Sequence, residues 1–117
     1  MAALIGANLC IHYGWDARES GWNSGMDANL KVVDALLHLA AKSRTLATPP
    51  ATPADGERYI VGASPTGASA GKAGQIAVRR EGAWAFYAPK AGWPAFVEDE
   101  AVVTAYKATG WSAGLAL

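Results

Sequence analysis

Two metal-binding residue types lie close together near the start of the chain. Cys10 precedes His12 by two residues, and thiolate and imidazole are the ligands that zinc prefers. No second ligand pair follows, and neither His12 nor His38 adjoins a nucleophile motif. We therefore expect no metal site and no cofactor. Cys10 is expected to be a small, partly buried apolar side chain, with an intermolecular disulfide as the alternative.

Two further segments resemble chemical motifs but lack essential parts. Residues 67–73 are similar to a phosphate-binding loop, but only three residues separate the glycines, and Ala73 stands where Ser or Thr would contact magnesium. We predict a flexible surface loop. Glu98, Asp99 and Glu100 are consecutive and lack the alternating ligand spacing of a calcium loop, so they predict a charged hairpin tip. Because glycoside cleavage also needs a deep cleft, we predict that the protein is not an enzyme.

Composition limits the possible partners. Ten basic and ten acidic side chains cancel, which predicts neither nucleic-acid binding nor a polybasic membrane surface. Leu, Ile, Val and Phe total only 22 of 117 residues, and five Trp and four Tyr supply much of the apolar area. Such a thin core favours burial against other copies of the chain. The first residues have no basic region and too short an apolar run, so we expect neither a signal peptide nor membrane insertion.

The positions of the turns that contain Pro and Gly, between helical and strand-like segments, predict an α+β fold. We expect an extended N-terminal arm, an amphipathic helix capped by Asn23 or Ser24, a proline-rich linker, and a small antiparallel β meander of the sandwich or barrel type. The predicted boundaries are 1–22, 23–43, 44–56 and 57–117. Since residues that precede proline avoid helical angles, the helix should end at or before Thr48, and residues 49–55 should form a semi-rigid spacer.

The predicted helix carries an apolar seam with the period of a coiled coil. Its members are spaced by four, three, four and three residues: Met26, Leu30, Val33, Leu37 and Ala40. Val32, Leu36 and Leu39 widen this seam to about half of the helix circumference. The width suggests two neighbours, the β half and a symmetry-related helix, although one large packing surface is an alternative. The opposite face is charged and is expected to be solvated.

In the β half, turns recur every eight to twelve residues and define five main strand candidates. The candidates are 58–62, 75–80, 84–87, 93–98 and 101–106, and residues 111–113 follow as a last short strand. Residues 80–83 predict a hairpin turn. Trp84, Trp93 and Trp111 each come just after a turn that contains glycine, and each is expected to lie in the core more often than on a ligand surface.

Two runs carry a resemblance to known proteins. Residues 21–30, GWNSGMDANL, and residues 33–36 resemble the opening of tail-fibre and tail-associated proteins of tailed bacteriophages. Residues 48–62, with the Gly and Trp positions that follow, are similar to a domain of formally unknown function in phage tail proteins and in gene transfer agents of alphaproteobacteria and their relatives. The resemblance covers about residues 14–113. It consists of turns and aromatics, not catalytic motifs.

The resemblance implies a virion structural protein, made in the host cytoplasm and located in the tail. We expect a homotrimeric short tail fibre, or the part that attaches a fibre to the baseplate, with other tail or baseplate proteins as partners. The alternative function is a carbohydrate-binding module that recognises a host surface glycan through Trp84, Tyr87, Trp93 and Trp111.

Attachment to the virion is expected to involve the N-terminal arm. The arm has few charges and several large apolar side chains without an obvious partner strand: Leu4, Ile5, Leu9, Tyr13, Trp15 and Trp22. A neighbouring protein could cover them, or could take the arm as an added strand. In the alternative interpretation, the arm folds back on the chain's own sheet.

Overall fold

A computed structural model describes residues 4–117, and the chain divides into an N-terminal unit that ends at Leu37 and a C-terminal unit that begins at His38. The predicted α+β class is confirmed, since one long helix occurs together with several small sheets. The strands are β1 (Leu4–Ile5), β2 (His12–Tyr13), β3 (Ala40–Ala41), β4 (Arg58–Ile60), β5 (Ile76–Arg80), β6 (Ala83–Tyr87), β7 (Pro94–Val97), β8 (Val102–Lys107), β9 (Gly110–Trp111) and β10 (Leu115–Ala116). The helix α1 spans Trp22–Leu36, and a 3₁₀ turn spans Gly67–Ser69.

The N-terminal unit begins with a hairpin, so the prediction of an arm without a partner strand was wrong. β1 pairs antiparallel with β2, with Leu4 opposite Tyr13. The Gly6 N–H donates to the Ile11 carbonyl at 2.7 Å, and the Cys10 N–H donates to the Gly6 carbonyl at 3.0 Å. The predicted partial burial of Cys10 was also wrong: this residue is exposed, because it lies in the connecting turn with a φ of 60°.

Helix α1 is shorter than the predicted range of 23–43. Its N-cap is Gly21, in the left-handed conformation with a φ of 83°, and not Asn23 or Ser24. The helix ends at Leu36, and Leu37 is already extended with a ψ of 129°. The cause is a competing partner: Ala40 and Ala41 form β3, which pairs parallel with β7. Ala40 is therefore not part of a helical seam.

The C-terminal unit consists of two small sheets. One has the order β4-β5-β6 and is antiparallel throughout. The other has the order β10-β8-β7-β3, and β9 pairs with the far end of β8. The chain links β3 to β4 as well, since the Lys42 N–H donates to the Arg58 carbonyl at 2.8 Å. Buried apolar side chains from both sheets form the core: Ala41, Ile60, Val61, Ile76, Ala77, Val78, Ala95 and Val97.

The turn predictions are confirmed. The β5–β6 turn places Glu81 at a φ of 53° and Gly82 at 74°, the positive values that a two-residue hairpin turn requires. Glu98 to Glu100 lie at the tip of the β7–β8 hairpin and are exposed. Residues 67–73 form a short 3₁₀ turn that leads into β5, without the helix that a phosphate-binding loop needs.

The proline-rich segment is packed into the C-terminal unit and is not a spacer. Leu46 accepts a hydrogen bond from the Gly62 N–H at 3.0 Å, and Ala47 accepts one from the Thr66 N–H at 2.8 Å. Pro49 and Pro50 line a groove with Tyr59 and Trp84, and the cavity volume of this groove is about 10 Å³. Proline has no N–H for a strand ladder, but its apolar ring packs on aromatic side chains. As predicted, the helix ends before Thr48.

Candidate functional site

A buried polar side chain connects the hairpin of the N-terminal unit to its helix. Asn29, on α1, is 7% exposed. Its Oδ1 accepts from the His12 N–H at 2.7 Å, and its Nδ2 donates to the His12 carbonyl at 2.8 Å. The amide thus pairs with strand β2 as a neighbouring strand would, and it holds the hairpin against the helix. Asparagine within a helix gives no sequence signal for this role.

The predicted docking residues are mostly exposed. Leu4, Ile5, Tyr13 and Trp22 each have half or more of their surface accessible, while Leu9 and Trp15 are half-buried. The structure brings Trp15 and Trp22 together in the wall of an open cleft. Trp15 lies so close to α1 that a Cβ added at Gly25 would be 2.5 Å from its Cζ2 atom.

The predicted oligomer seam forms an exposed stripe along α1. Leu30 is 59% exposed and Leu37 60%, while Met26 and Val33 are half-buried. Leu30, Val33 and Leu37 share an open groove with Asp34. Met26, Leu30, Val33 and Leu37 are called the helix stripe below. Since Asn29 and Ala35 are the buried positions of α1, the helix stripe is not the face that it buries.

The four proposed glycan-binding aromatics are half-buried, and each contacts other side chains of the C-terminal unit. Trp84 packs edge-on against Tyr59, with 6.0 Å between ring centroids, and Trp111 packs in the same way against Tyr106 at 5.2 Å. The Trp111 Nε1 also donates to the Gly74 carbonyl at 2.8 Å. Lys90 lies 5.9 Å from the Trp93 ring centre, and Arg80 donates to the Tyr87 hydroxyl at 2.9 Å. Their role in glycan binding stays a prediction.

Charged groups stabilise the C-terminal unit at a site that the sequence did not indicate. Arg44 makes a bidentate pair with Glu100, its Nε and Nη2 donating to the two carboxylate oxygens at 2.9 and 2.8 Å. The guanidinium also donates to the carbonyls of Ser112 at 2.7 Å and Ala113 at 2.8 Å. The hydrogen bonds that Arg44 donates to the Glu100 carboxylate raise the pKa of Arg44 and lower the pKa of Glu100. The Arg44 side chain therefore connects its own loop to the turn that contains Glu100 and to residues 112–113.

We expect the Glu100→Gln variant to change the pH dependence of stability. Because the folded state holds the Glu100 pKa below its ordinary value of 4.5, its contribution is complete above pH 4.5 and is lost as the pH falls through the folded pKa. The variant should be less stable than the wild type at pH 7, and the difference should shrink below about pH 4.5. Urea unfolding between pH 7 and pH 3 measures this. A difference that stays constant with pH would contradict the prediction, and the exposed Asp27→Asn is the control.

Tyr59 is a further group whose pKa the structure shifts. Burial and a hydrogen bond from its hydroxyl to Glu57 at 2.9 Å raise the pKa of Tyr59 to about 12. The phenol therefore remains protonated and acts as a structural donor in the aromatic groove. Across residues 4–117, no three His, Cys, Asp or Glu side chains are grouped as metal ligands would be. In that same part of the chain, no helix has both the length and the apolar character that a membrane span requires.

Comparison with known proteins places the chain in a family. Residues 26–112, well over half of the chain, match the protein family of unknown function DUF2793. The chain belongs to this family. No curated protein matches it. The DUF2793 match begins at Met26, inside α1, and ends at Ser112, so it includes the helix stripe and the C-terminal unit up to β9, whereas Trp15 and Trp22 precede it. The expected likeness to a domain of unknown function is confirmed.

Proposed function

We propose that this DUF2793 protein is a non-enzymatic structural component of a tailed-phage virion, either a short tail fibre or the part that attaches a fibre to the baseplate. The resemblance of residues 21–30 to tail-fibre proteins supports the role. The observation that carries the proposal is the helix stripe, where Leu30 and Leu37 each leave about three-fifths of their surface exposed.

An exposed stripe of this kind is a feature of a subunit. Helices of monomeric proteins bury their apolar face, and contiguous apolar patches on a protein surface mark sites of association. The helix stripe has spacings of four, three and four residues, the period at which neighbouring helices interdigitate. Covering Leu30 and Leu37 in an assembly would contribute roughly 1–2 kcal/mol for each side chain in each subunit.

The assembly that we propose is a homotrimer in which the helix stripe of each copy faces the other two. The hairpin of β1 and β2 would then contact another tail or baseplate protein, since Leu4, Ile5 and Tyr13 present further apolar surface there. Both contacts lie in the N-terminal unit.

The Leu30→Asp, Leu37→Asp double variant tests the assembly. We expect light scattering to give a trimer for the wild type and a monomer for the variant at micromolar concentration, because carboxylates in the seam repel each other and cannot be buried unpaired. Both residues are exposed in the single chain, so the circular dichroism spectrum should not change. The control is Leu115→Asp, which is 76% exposed on β10 and should leave the trimer intact.

A wild-type chain that is monomeric and melts cooperatively would overturn the trimer. The virion role has its own test: an epitope-tagged chain should co-purify with tailed particles through a density gradient. The double variant should be absent from those particles. A tagged wild-type chain that is never found with particles would overturn the virion role, whatever its oligomeric state.

A further inference from the structure

We propose that the outer edge of strand β6 binds an extended acidic segment of a partner protein, which adds to the β4-β5-β6 sheet as a further antiparallel strand. In the described part of the chain, β6 is the last strand of this sheet and has β5 as its one neighbour. Adding a strand to such an edge is a common mode of peptide recognition. This inference goes beyond the proposed function, since assembly through the helix stripe involves the N-terminal unit.

The register of the sheet shows which backbone groups lie on this edge. The Arg79 N–H donates to the Glu57 carbonyl at 2.9 Å, so the backbone of Arg79 points toward β4. Arg79 lies opposite Trp84 of β6, and because antiparallel pairs alternate between bonded and non-bonded ones, this pair is non-bonded. The N–H and C=O groups of Trp84 therefore point away from β5, as do those of Phe86 two residues later. Within residues 4–117, none of these four groups has a hydrogen-bond partner.

The sequence of β6 leaves this edge unprotected. Residues Ala83–Tyr87, AWAFY, contain no charged side chain and no proline, which are the usual means by which proteins prevent pairing at an exposed edge. Aromatic side chains also favour strand pairing. The occupant that fits is a strand, because an extended backbone presents N–H and C=O groups at the spacing of those of Trp84 and Phe86.

Two basic side chains determine which strand fits. The Arg79 guanidinium lies 5.6 Å from the centre of the Trp84 ring, and the Lys72 ammonium lies 5.6 Å from the centre of the Phe86 ring. Since Trp84 and Phe86 are two residues apart, both rings and both cations lie on the same face of the sheet. A ring has no acceptor oxygen, and neither cation has an ion pair or a hydrogen-bonded acceptor for its side chain within residues 4–117. The side-chain N–H donors of both cations are therefore available to carboxylates.

These charges favour an acidic partner over a second copy of the chain. If β6 paired with β6 of another copy through all of the outward groups, the tryptophan of one copy would lie opposite the phenylalanine of the other. Arg79 of one copy and Lys72 of the other would then lie on one face and repel each other. The Glu57 carboxylate accepts from the Tyr59 hydroxyl at 2.9 Å and lies beyond β5 from this edge. Acidic side chains at alternate positions of an added strand would instead face the two cations.

The test is an NMR titration of the ¹⁵N-labelled full chain with a short synthetic peptide in which glutamate and valine alternate. We expect saturable shifts and slower hydrogen exchange for the backbone amides of Trp84 and Phe86, and little change in the exchange of Ala85, whose N–H already points toward β5. In the antiparallel register the glutamates pair with Trp84 and Phe86 and point their N–H groups toward β6. N-methylation of the glutamates should therefore abolish binding, whereas N-methylation of the valines should not.

Side-chain variants test the selection by charge. Arg79→Gln and Lys72→Gln should each weaken peptide binding about threefold, as expected for one ion pair near the surface. The control is Lys107→Gln, at an exposed position of β8, which should bind like the wild type. A peptide with lysine in place of glutamate should not bind to the wild-type chain.

The proposal is overturned if millimolar glutamate peptide gives no saturable shift at Trp84 and Phe86, or if the lysine peptide binds equally well. It is also overturned if the valine-methylated peptide binds no better than the glutamate-methylated one. Amide signals of Trp84 and Phe86 that shift with protein concentration alone would identify a second copy as the occupant and would equally exclude the acidic partner. Light scattering on Arg79→Gln should give the wild-type mass, so loss of peptide binding is distinguishable from loss of the proposed assembly.

Discussion

Replacing Asn29 with alanine should destabilise the N-terminal unit by about 2–4 kcal/mol, because the variant leaves both the N–H and the C=O of His12 without their partner. The amide is 7% exposed, so water does not readily replace it. A unit this small has little stability to lose. We expect local unfolding of the hairpin from the helix, with amide hydrogen exchange in residues 4–37 accelerated by roughly 30-fold or more.

Asn23→Ala is the matched control, since Asn23 is exposed on the same helix. It should leave exchange close to that of the wild type, and alanine there even improves helix propensity. Exchange that is unchanged in Asn29→Ala would mean that other contacts hold the hairpin in place. Exchange that is equally fast in both variants would point to a general loss of helix stability.

Replacing Arg44 with methionine should have the second large effect. Methionine retains the apolar stem but removes all four donated hydrogen bonds, two to Glu100 and one each to the carbonyls of Ser112 and Ala113. Although surface ion pairs contribute little, a bidentate pair with additional carbonyl contacts is an exception. We expect a loss of about 2–3 kcal/mol and a melting temperature lower by roughly 10 °C.

Calorimetry or thermal circular dichroism measures the change, and Lys107→Met, at an exposed position of β8, is the control. Arg44→Lys should recover only part of the loss, because an ammonium group cannot make the two parallel bonds to a carboxylate. Melting of Arg44→Met at the wild-type temperature would show that the three loops hold their positions without the guanidinium.

Local signals made the second half of the chain predictable. Glu81 and Gly82 adopt the positive φ angles of the predicted hairpin, and β5 and β6 begin and end within one residue of their predicted bounds. The end of α1 could not be predicted in this way. The apolar period continues through Leu37 and Ala40, and only the distant strand β7 gives Ala40 a better hydrogen-bonding partner.

The same contrast between local signals and distant partners applies to the site residues. Leu30 and Leu37 are exposed, and the oligomer seam predicted from their spacing stays a prediction. The open cleft that Trp15 and Trp22 share could not be predicted, because it depends on the close approach of Trp15 to Gly25. Asn29 and Arg44 were missed because their partners are distant in sequence: the backbone of His12 lies 17 positions from Asn29, and the Glu100 carboxylate and the Ala113 carbonyl lie 56 and 69 positions from Arg44.

The parallel pairing of β3 with β7 determines the order in which the chain can fold. The N-terminal unit and the β4-β5-β6 sheet contain all of their strand partners before Pro94 is synthesised. Strand β3 cannot pair with β7 until Phe96 and Val97 have been synthesised, and a long loop has to close before this pair forms. Loop closure of this kind slows folding. During synthesis, Ala40 and Ala41 therefore emerge early as an unpaired strand edge, and the larger sheet is completed only after Leu115 and Ala116 have been synthesised.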